Sequence, residues 1–339
     1  MGDFVRDEQG TLSATTNWSQ SFELAVESPQ QLVAENLLRQ GVEKLQANHL
    51  EAALPLCYQA LTLYQNLQDI RGVAQVLGSL SSVHYALGEY GKTIELAQQQ
   101  LAIARQLDDR RGEGQALGHL GNAYRHVKDH TNAIECSRQS LLVAQELQDR
   151  RAEVAALNNL GLAYKTLGDC MKAIEYQEQS LQISRELQDE KIEGQVLRNL
   201  GNAYYALGNY TEAIEYYEQR LAIAQAAQDY KTEGQVLRNL GSAYAALENY
   251  AKAVEYLQRR LAIAQAAQDY RGIEQSLGSL GVAYEALGNY AKAVEYYEQR
   301  LAIARQLRDP QAERQALGSL KMACYALGDY AKAVEYSMV

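Results

Sequence analysis

Few residues in this chain stand at spacings that do chemistry. His126 and His130 are four apart, the separation at which two imidazoles on one helix face can share a metal ion. The stretch GEGQALGHLG at 112–121 has the glycine density of a phosphate-binding loop. Four cysteines, Cys57, Cys136, Cys170 and Cys324, supply thiols but form no CxxC pair. Arg198 and Arg238 are each able to hold a carboxylate through two parallel N–H bonds. What any of these groups can do depends on the element that carries it.

The elements follow from an internal repeat. Blocks beginning at residues 31, 71, 111, 151, 191, 231, 271 and 311 align without a gap, giving seven complete 40-residue units and part of an eighth. GQVLRNLG occurs at 194–201 and again at 234–241, and LAIAQAAQDY at 221–230 and 261–270. In the block from 191, Leu197, Leu200, Ala203, Tyr204 and Leu207 fall at spacings of three and four, one apolar stripe of a first helix. Ala213, Ile214, Tyr217, Leu221, Ile223 and Ala224 trace a second. Gly208-Asn209 between them is a turn signal. Each unit therefore reads as helix A, turn, helix B.

Placed in that frame, most of the candidate chemistry dissolves. A phosphate loop needs its glycines between a strand and a helix, whereas those of 112–121 fall inside helix A. His126 lies where helix A should be ending, and His130 holds the place of Tyr210 and Tyr290. Each cysteine occupies a repeat position filled elsewhere by other residues, which reads as free thiols in a helical core. No nucleophile, base and orienting group can be argued from spacing, so the expectation is no enzyme, no metal and no cofactor.

The repeating residues have structural roles. Asp69, Asp109, Asp149, Asp189, Asp229, Asp269 and Asp309 recur at the entry to helix A, where a carboxylate accepts the unpaired amide protons of the first turn. Pro310 directly after Asp309 supports this, since proline suits the first helical position. Gly121, Gly161, Gly201, Gly241 and Gly281 lie inside helix A, where glycine costs about 1 kcal/mol against alanine. Close approach of helix B would offset that. Ala133, Ala173, Ala213, Ala253, Ala293 and Ala333 give helix B a small contact, and Tyr124, Tyr164, Tyr204, Tyr244 and Tyr284 read as core. Pro55, within the first helix B, should bend it or displace its start.

L-G-x-A-Y in helix A followed by Y-x-x-A in helix B resembles the tetratricopeptide repeat (TPR). The resemblance covers about residues 31–336. The 40-residue length is similar to the variant found in Pins/LGN-type spindle-orientation adaptors and in cyanobacterial arrays, some joined to CHAT protease-like domains; no GoLoco motif or CHAT segment occurs here. It implies an all-α fold: a TPR-type α-solenoid, a right-handed superhelix of antiparallel helix pairs. In such arrays the A helices line a concave groove. Its groove positions carry over to Gln115, Gly118, Asn122, Arg125 and His126 in the third unit, and to Asn158, Leu162 and Lys165 in the fourth. The fifth gives Gln195, Arg198, Asn202 and Tyr205, and the sixth Gln235, Arg238 and Ser242. Asn122 and Asn202 match the position that anchors ligands in peptide-binding members.

That face is amide-rich and locally cationic, although the chain carries a net charge of −10. Gln and Asn both donate and accept, which suits the backbone of an extended peptide. An acidic chain is a poor general ligand for nucleic acid. No apolar run reaches the roughly 18 residues of a membrane span, and the start MGDFVRDEQG lacks a signal-peptide core. The expected function is a cytoplasmic protein-interaction scaffold or adaptor that binds a protein or peptide with an acidic segment, with no nucleic-acid or membrane partner. A peptide-sensing regulatory module of a longer protein is one alternative, and a self-assembling structural solenoid is another. Residues 1–29 read as a flexible acidic leader with Trp18 and Phe22, able to occupy the groove, before an array from 30 to 339. The eighth unit has Lys321 for glycine and stops within helix B. A solenoid end needs covering, so the expectation is a longer parent chain or self-association through that end.

Overall fold

A computed structural model of the chain describes residues 28–336. The leader with Trp18 and its placement in a groove lie outside the described residues. The helices are α1 (Pro29–Gln46), α2 (Leu50–Asn66), α3 (Ile70–Ala86), α4 (Tyr90–Gln106), α5 (Arg110–His126), α6 (His130–Glu146), α7 (Arg150–Leu167) and α8 (Cys170–Glu186). They continue as α9 (Glu190–Ala206), α10 (Tyr210–Ala226), α11 (Tyr230–Ala246), α12 (Tyr250–Ala266), α13 (Tyr270–Ala286), α14 (Tyr290–Gln306), α15 (Pro310–Leu327) and α16 (Tyr330–Glu335). Odd-numbered helices are the A helices and even-numbered ones the B helices. This is an all-α solenoid of antiparallel pairs. No helix among the described residues is long and apolar enough to cross a membrane.

The chain divides into two compact units, one ending at Val73 and one beginning at Ala74. In the first, α1 lies on α2 with Gly41 against Cys57 and Ala53 fully buried. Pro55 does not displace the start of α2, which begins at Leu50, 40 residues before α4. The reason is local. Amides of the first turn have no partner within a helix in any case, and Pro55 sits just past them, so at most one helical bond is lost.

In the second unit each helix from α5 to α15 packs between its predecessor and its successor. One core cluster joins Ile214, Tyr217 and Leu221 of α10 to Val236, Leu237 and Leu240 of α11 and Ala253 of α12. The seven aspartates cap as expected: Asp69 Oδ1 accepts from Gly72 N at 3.0 Å, Asp109 from Gly112 N at 2.9 Å, and Asp309 from Ala312 N at 3.1 Å. Asp149, Asp189, Asp229 and Asp269 do the same.

The glycines of helix A mark where helix B comes closest. A Cβ on Gly121 would stand 2.5 Å from Ser137 Oγ, and one on Gly241 2.8 Å from Leu257. At Gly161, Gly201 and Gly281 the obstruction is Gln177, Tyr217 and Tyr297. The second repeat inverts the pairing. Ser81 replaces glycine and Ala97 stands opposite, both fully buried.

The tyrosine stripe is core in part and seam in part. Tyr164, Tyr244 and Tyr284 are buried, whereas Tyr124 and Tyr204 are half-buried. Tyr204 stacks on Tyr216 at 5.3 Å, and the pairs Tyr164–Tyr176, Tyr244–Tyr256 and Tyr284–Tyr296 repeat that contact. Their hydroxyls reach the preceding repeat. Tyr204 donates to Glu178 at 3.1 Å and Tyr244 to Glu218 at 3.2 Å. Gln98 and Gln258 donate to the hydroxyls of Tyr124 and Tyr284.

Candidate peptide-binding face

A helices α5, α7, α9 and α11 follow one another, with α5 touching α7 and α7 touching α9. Direct bonds cross these neighbours: Asn199 Nδ2 of α9 donates to Asn158 Oδ1 of α7 at 2.7 Å. The positions expected to line a groove fall into two groups. Gln115, Gln195, Arg198, Gln235 and Arg238 are exposed, with side chains available to a ligand. Asn122, Arg125, Asn158, Lys165 and Asn202 are half-buried.

Most of that second group is engaged by the chain itself. Asn158 Oδ1 accepts from Gln177 as well as from Asn199. Asn202 Oδ1 accepts the Tyr217 hydroxyl proton at 2.8 Å, leaving its amide hydrogens to donate. Arg125 lies beside Tyr85 and His126, and His126 stacks on Tyr90 at 4.2 Å. His130 instead contacts Thr166 at 3.3 Å. The two histidines thus face different partners, although they are four apart in sequence. Burial lowers the Lys165 pKa, and nearby Arg198 adds like charge.

Reasoning from A helices alone missed two residues of helix B. Arg220 of α10 and Arg260 of α12 are only 6% and 7% exposed. Nε and Nη1 of Arg220 and Nη1 of Arg260 are buried without a hydrogen-bond partner in the chain. Arg260 Nη2 donates to Gln275 at 2.9 Å. Burial, with Arg198 adding like charge, lowers the Arg220 pKa to about 10. Burial and Arg238 act in the same direction on Arg260. A cleft of about 440 Å³ opens beside Arg260, lined by Lys231, Gly234, Gln235, Arg238, Ile263 and Asp269 among others. The sequence did hold a signal, since Arg220 falls between Tyr217 and Leu221 on the buried stripe of its helix.

Comparisons with known proteins fit this architecture. The model described as "Rapsyn N-terminal myristoylation and linker region" matches residues 30–111. Among curated proteins none matches in sequence. Solved structures similar to the chain include a signal transduction ATPase with numerous domains (STAND), a protein with a tetratricopeptide repeat sensor from Pyrococcus horikoshii. It is 17% identical with a TM-score of 0.74, over 91% of this chain and 47% of that one. The chain thus spans about half the length of that relative. The apo quorum sensor NprR from B. thuringiensis is 14% identical with a TM-score of 0.62, over 91% of this chain and 86% of that one. A Rap protein complexed with competence and sporulation factor is 14% identical with a TM-score of 0.53, over 89% of this chain and 100% of that one. At these identities the likeness is one of fold. The tetratricopeptide repeat model itself matches residues 112–186, 192–266 and 272–337, most of the chain, and the chain belongs to the tetratricopeptide repeat family.

Proposed function

We propose that the chain is a protein-interaction module whose A helices α5, α7, α9 and α11 bind an extended acidic peptide. The observation that carries this reading is the pair Arg198 and Arg238. Both are exposed and neither forms an ion pair among the described residues, in a chain whose net charge is −10. Several other arginines are matched, such as Arg185 to Glu193 at 2.8 Å and Arg305 to Glu313 at 2.7 Å. An arginine left unmatched beside Gln195 or Gln235 offers a carboxylate two donors and the adjoining backbone an amide.

Fluorescence anisotropy with labelled deca-glutamate, against deca-glutamine, tests this. The wild type is expected to prefer deca-glutamate by at least tenfold. R198E/R238E is expected to lose that preference while keeping its helical circular dichroism. Equal binding by the double variant would remove the site from these helices.

A second reading has a specific basis. The STAND protein carries its tetratricopeptide repeats as a sensor, and the chain spans 47% of it; NprR is described as a quorum sensor. In that reading the same face is the sensing element of a longer protein, and peptide binding would alter the behaviour of an attached effector.

A further inference from the structure

Three arginines occupy one repeat position, and the helix A facing them differs: Arg300 meets Glu274 and Gly278, where the repeats of Arg220 and Arg260 hold Gly194 with Arg198 and Gly234 with Arg238. Arg300 Nε donates to Glu274 Oε1 at 2.7 Å and its Nη2 to Gln315 at 2.9 Å. Glu274 lies 26 residues before Arg300, on the facing helix A. The residues 26 before Arg220 and Arg260 are Gly194 and Gly234. In the third and fourth repeats that register is filled by serines, whose hydroxyls need no carboxylate, and in the first and second by Ala60 and Gln100. Ser140 Oγ donates to the Gly114 carbonyl at 3.0 Å, and Ser180 Oγ to the Val154 carbonyl at 3.3 Å.

The space left by the two glycines is open. A Cβ on Gly194 would meet nothing within 4 Å, and one on Gly234 only a methyl of Ile263 at 3.9 Å. These glycines therefore differ from Gly201 and Gly241, which helix B crowds. They cost helix stability without serving close packing. Arg260 lines one cleft with Gly234, Arg220 holds the same register relative to Gly194, and neither has the carboxylate that Arg300 has.

The carboxylates that act on these two groups are already committed. Asp229 caps α11 through Thr232 N, and Asp269 caps α13 through Gly272 N. Glu274, which also acts on Arg260, is bonded to Arg300. The other nearby charges are cationic, Arg198 at Arg220, and Arg238 with Lys231 at Arg260.

We propose that Arg220 over Gly194 and Arg260 over Gly234 are two carboxylate pockets, one repeat apart. Each receives an acidic side chain of the bound peptide in the place that Glu274 takes beside Arg300. Exposed Arg198 and Arg238 guide the peptide in, and the buried arginines set which of its positions must be acidic. This rests on the peptide-binding reading of the same face, and adds the chemistry and spacing of its specificity. Gln235 and Gln275 flank the pockets, where an amide can donate to the peptide backbone or accept from the guanidinium, as Gln275 Oε1 already accepts from Arg260.

The test uses the chain's own occupied pocket as a reference. Nε–Hε resonances of Arg220, Arg260 and Arg300 are followed by NMR during titration with sodium acetate, with sodium chloride holding ionic strength constant. Saturable shifts are expected at Arg220 and Arg260 and none at Arg300. G194E/G234E supplies each pocket with a carboxylate from within and should abolish both shifts, raise the melting temperature, and weaken deca-glutamate at least tenfold. E274G should give Arg300 the acetate response of the other two. Absence of a saturable shift at Arg220 and Arg260, or an identical response at all three, would overturn the proposal. Inorganic phosphate displacing acetate at lower concentration would overturn the carboxylate assignment in favour of a phosphorylated side chain. The two readings fail separately. If G194E/G234E binds deca-glutamate as the wild type does, the pockets fall and the groove stands. If acetate titrates the arginines but deca-glutamate does not bind, the groove falls and the pockets stand.

Discussion

Replacing Arg220 with methionine should stabilise the array, whereas the same change at Arg300 should destabilise it. Arg220 is 6% exposed, and burial lowers its pKa from the ordinary arginine value to about 10. At about 1.4 kcal/mol for each tenfold change in proton affinity, holding the charge there costs on the order of 3 kcal/mol. A base with a lowered pKa in the fold carries that cost in full at neutral pH and sheds it only as pH rises through about 10. Methionine removes the charge and keeps a long flexible side chain, so a gain of about 1–3 kcal/mol is expected. At Arg300 the substitution strands Glu274, whose side chain is 12% exposed, and a loss of about 2–4 kcal/mol follows from an unpaired buried carboxylate. Urea titration followed at 222 nm gives the sign. Because repeat arrays can unfold unit by unit, hydrogen exchange of α9–α12 and of α13–α15 amides should show each change in its own neighbourhood. Shifts of the same sign in both variants would refute the claim that Arg220 is uncompensated and Arg300 is not.

Two further outcomes test the packing. Gly241→Ala places a methyl 2.8 Å from Leu257, and despite the better helix propensity it should cost about 1–3 kcal/mol in a thermal or urea melt; adding Leu257→Ala should recover part of the loss, as the Ser81–Ala97 pair does naturally. His119, bonded to Ser82 at 3.2 Å, has its pKa lowered by burial to about 4. A histidine with a lowered pKa in the fold loses stability as pH falls from about 6.5 toward 4, so His119→Gln should flatten the acid limb of stability measured between those values.

Much of the architecture was legible because the repeat makes each position speak eight times. The seven aspartates could be placed at helix starts from the chemistry of an unpaired amide, and all seven accept the expected bond. The helix A glycines pointed to a close helix B. Pro55 leaves the start of α2 at Leu50, because it stands only just past the first-turn amides that have no helical partner. The face was harder to read. Asn158 and Asn202 have the composition of ligand contacts, but Gln177, Asn199 and Tyr217 take up their oxygens. Those partners lie 15, 19 and 41 residues away, and only the packing of pairs decides that they meet. Arg220 and Arg260 escaped for a different reason. Arginine is ordinarily exposed, so its position on an apolar stripe carries meaning only beside Gly194, Gly234 and Glu274.

The tyrosine bonds between repeats also make the joints of this array unequal. Tyr204 and Tyr244 each tie to a glutamate of the preceding helix B, and Glu218 takes a second bond from Tyr256. Before Tyr164 the matching place holds Arg138, a donor that cannot accept the hydroxyl proton. In a linear array the coupling between neighbours decides where a melting front pauses. A front arriving from either end should cross the junction of the third and fourth repeats more easily than those that follow, so that repeats four to seven respond to heat, or to pulling from the ends, as one block.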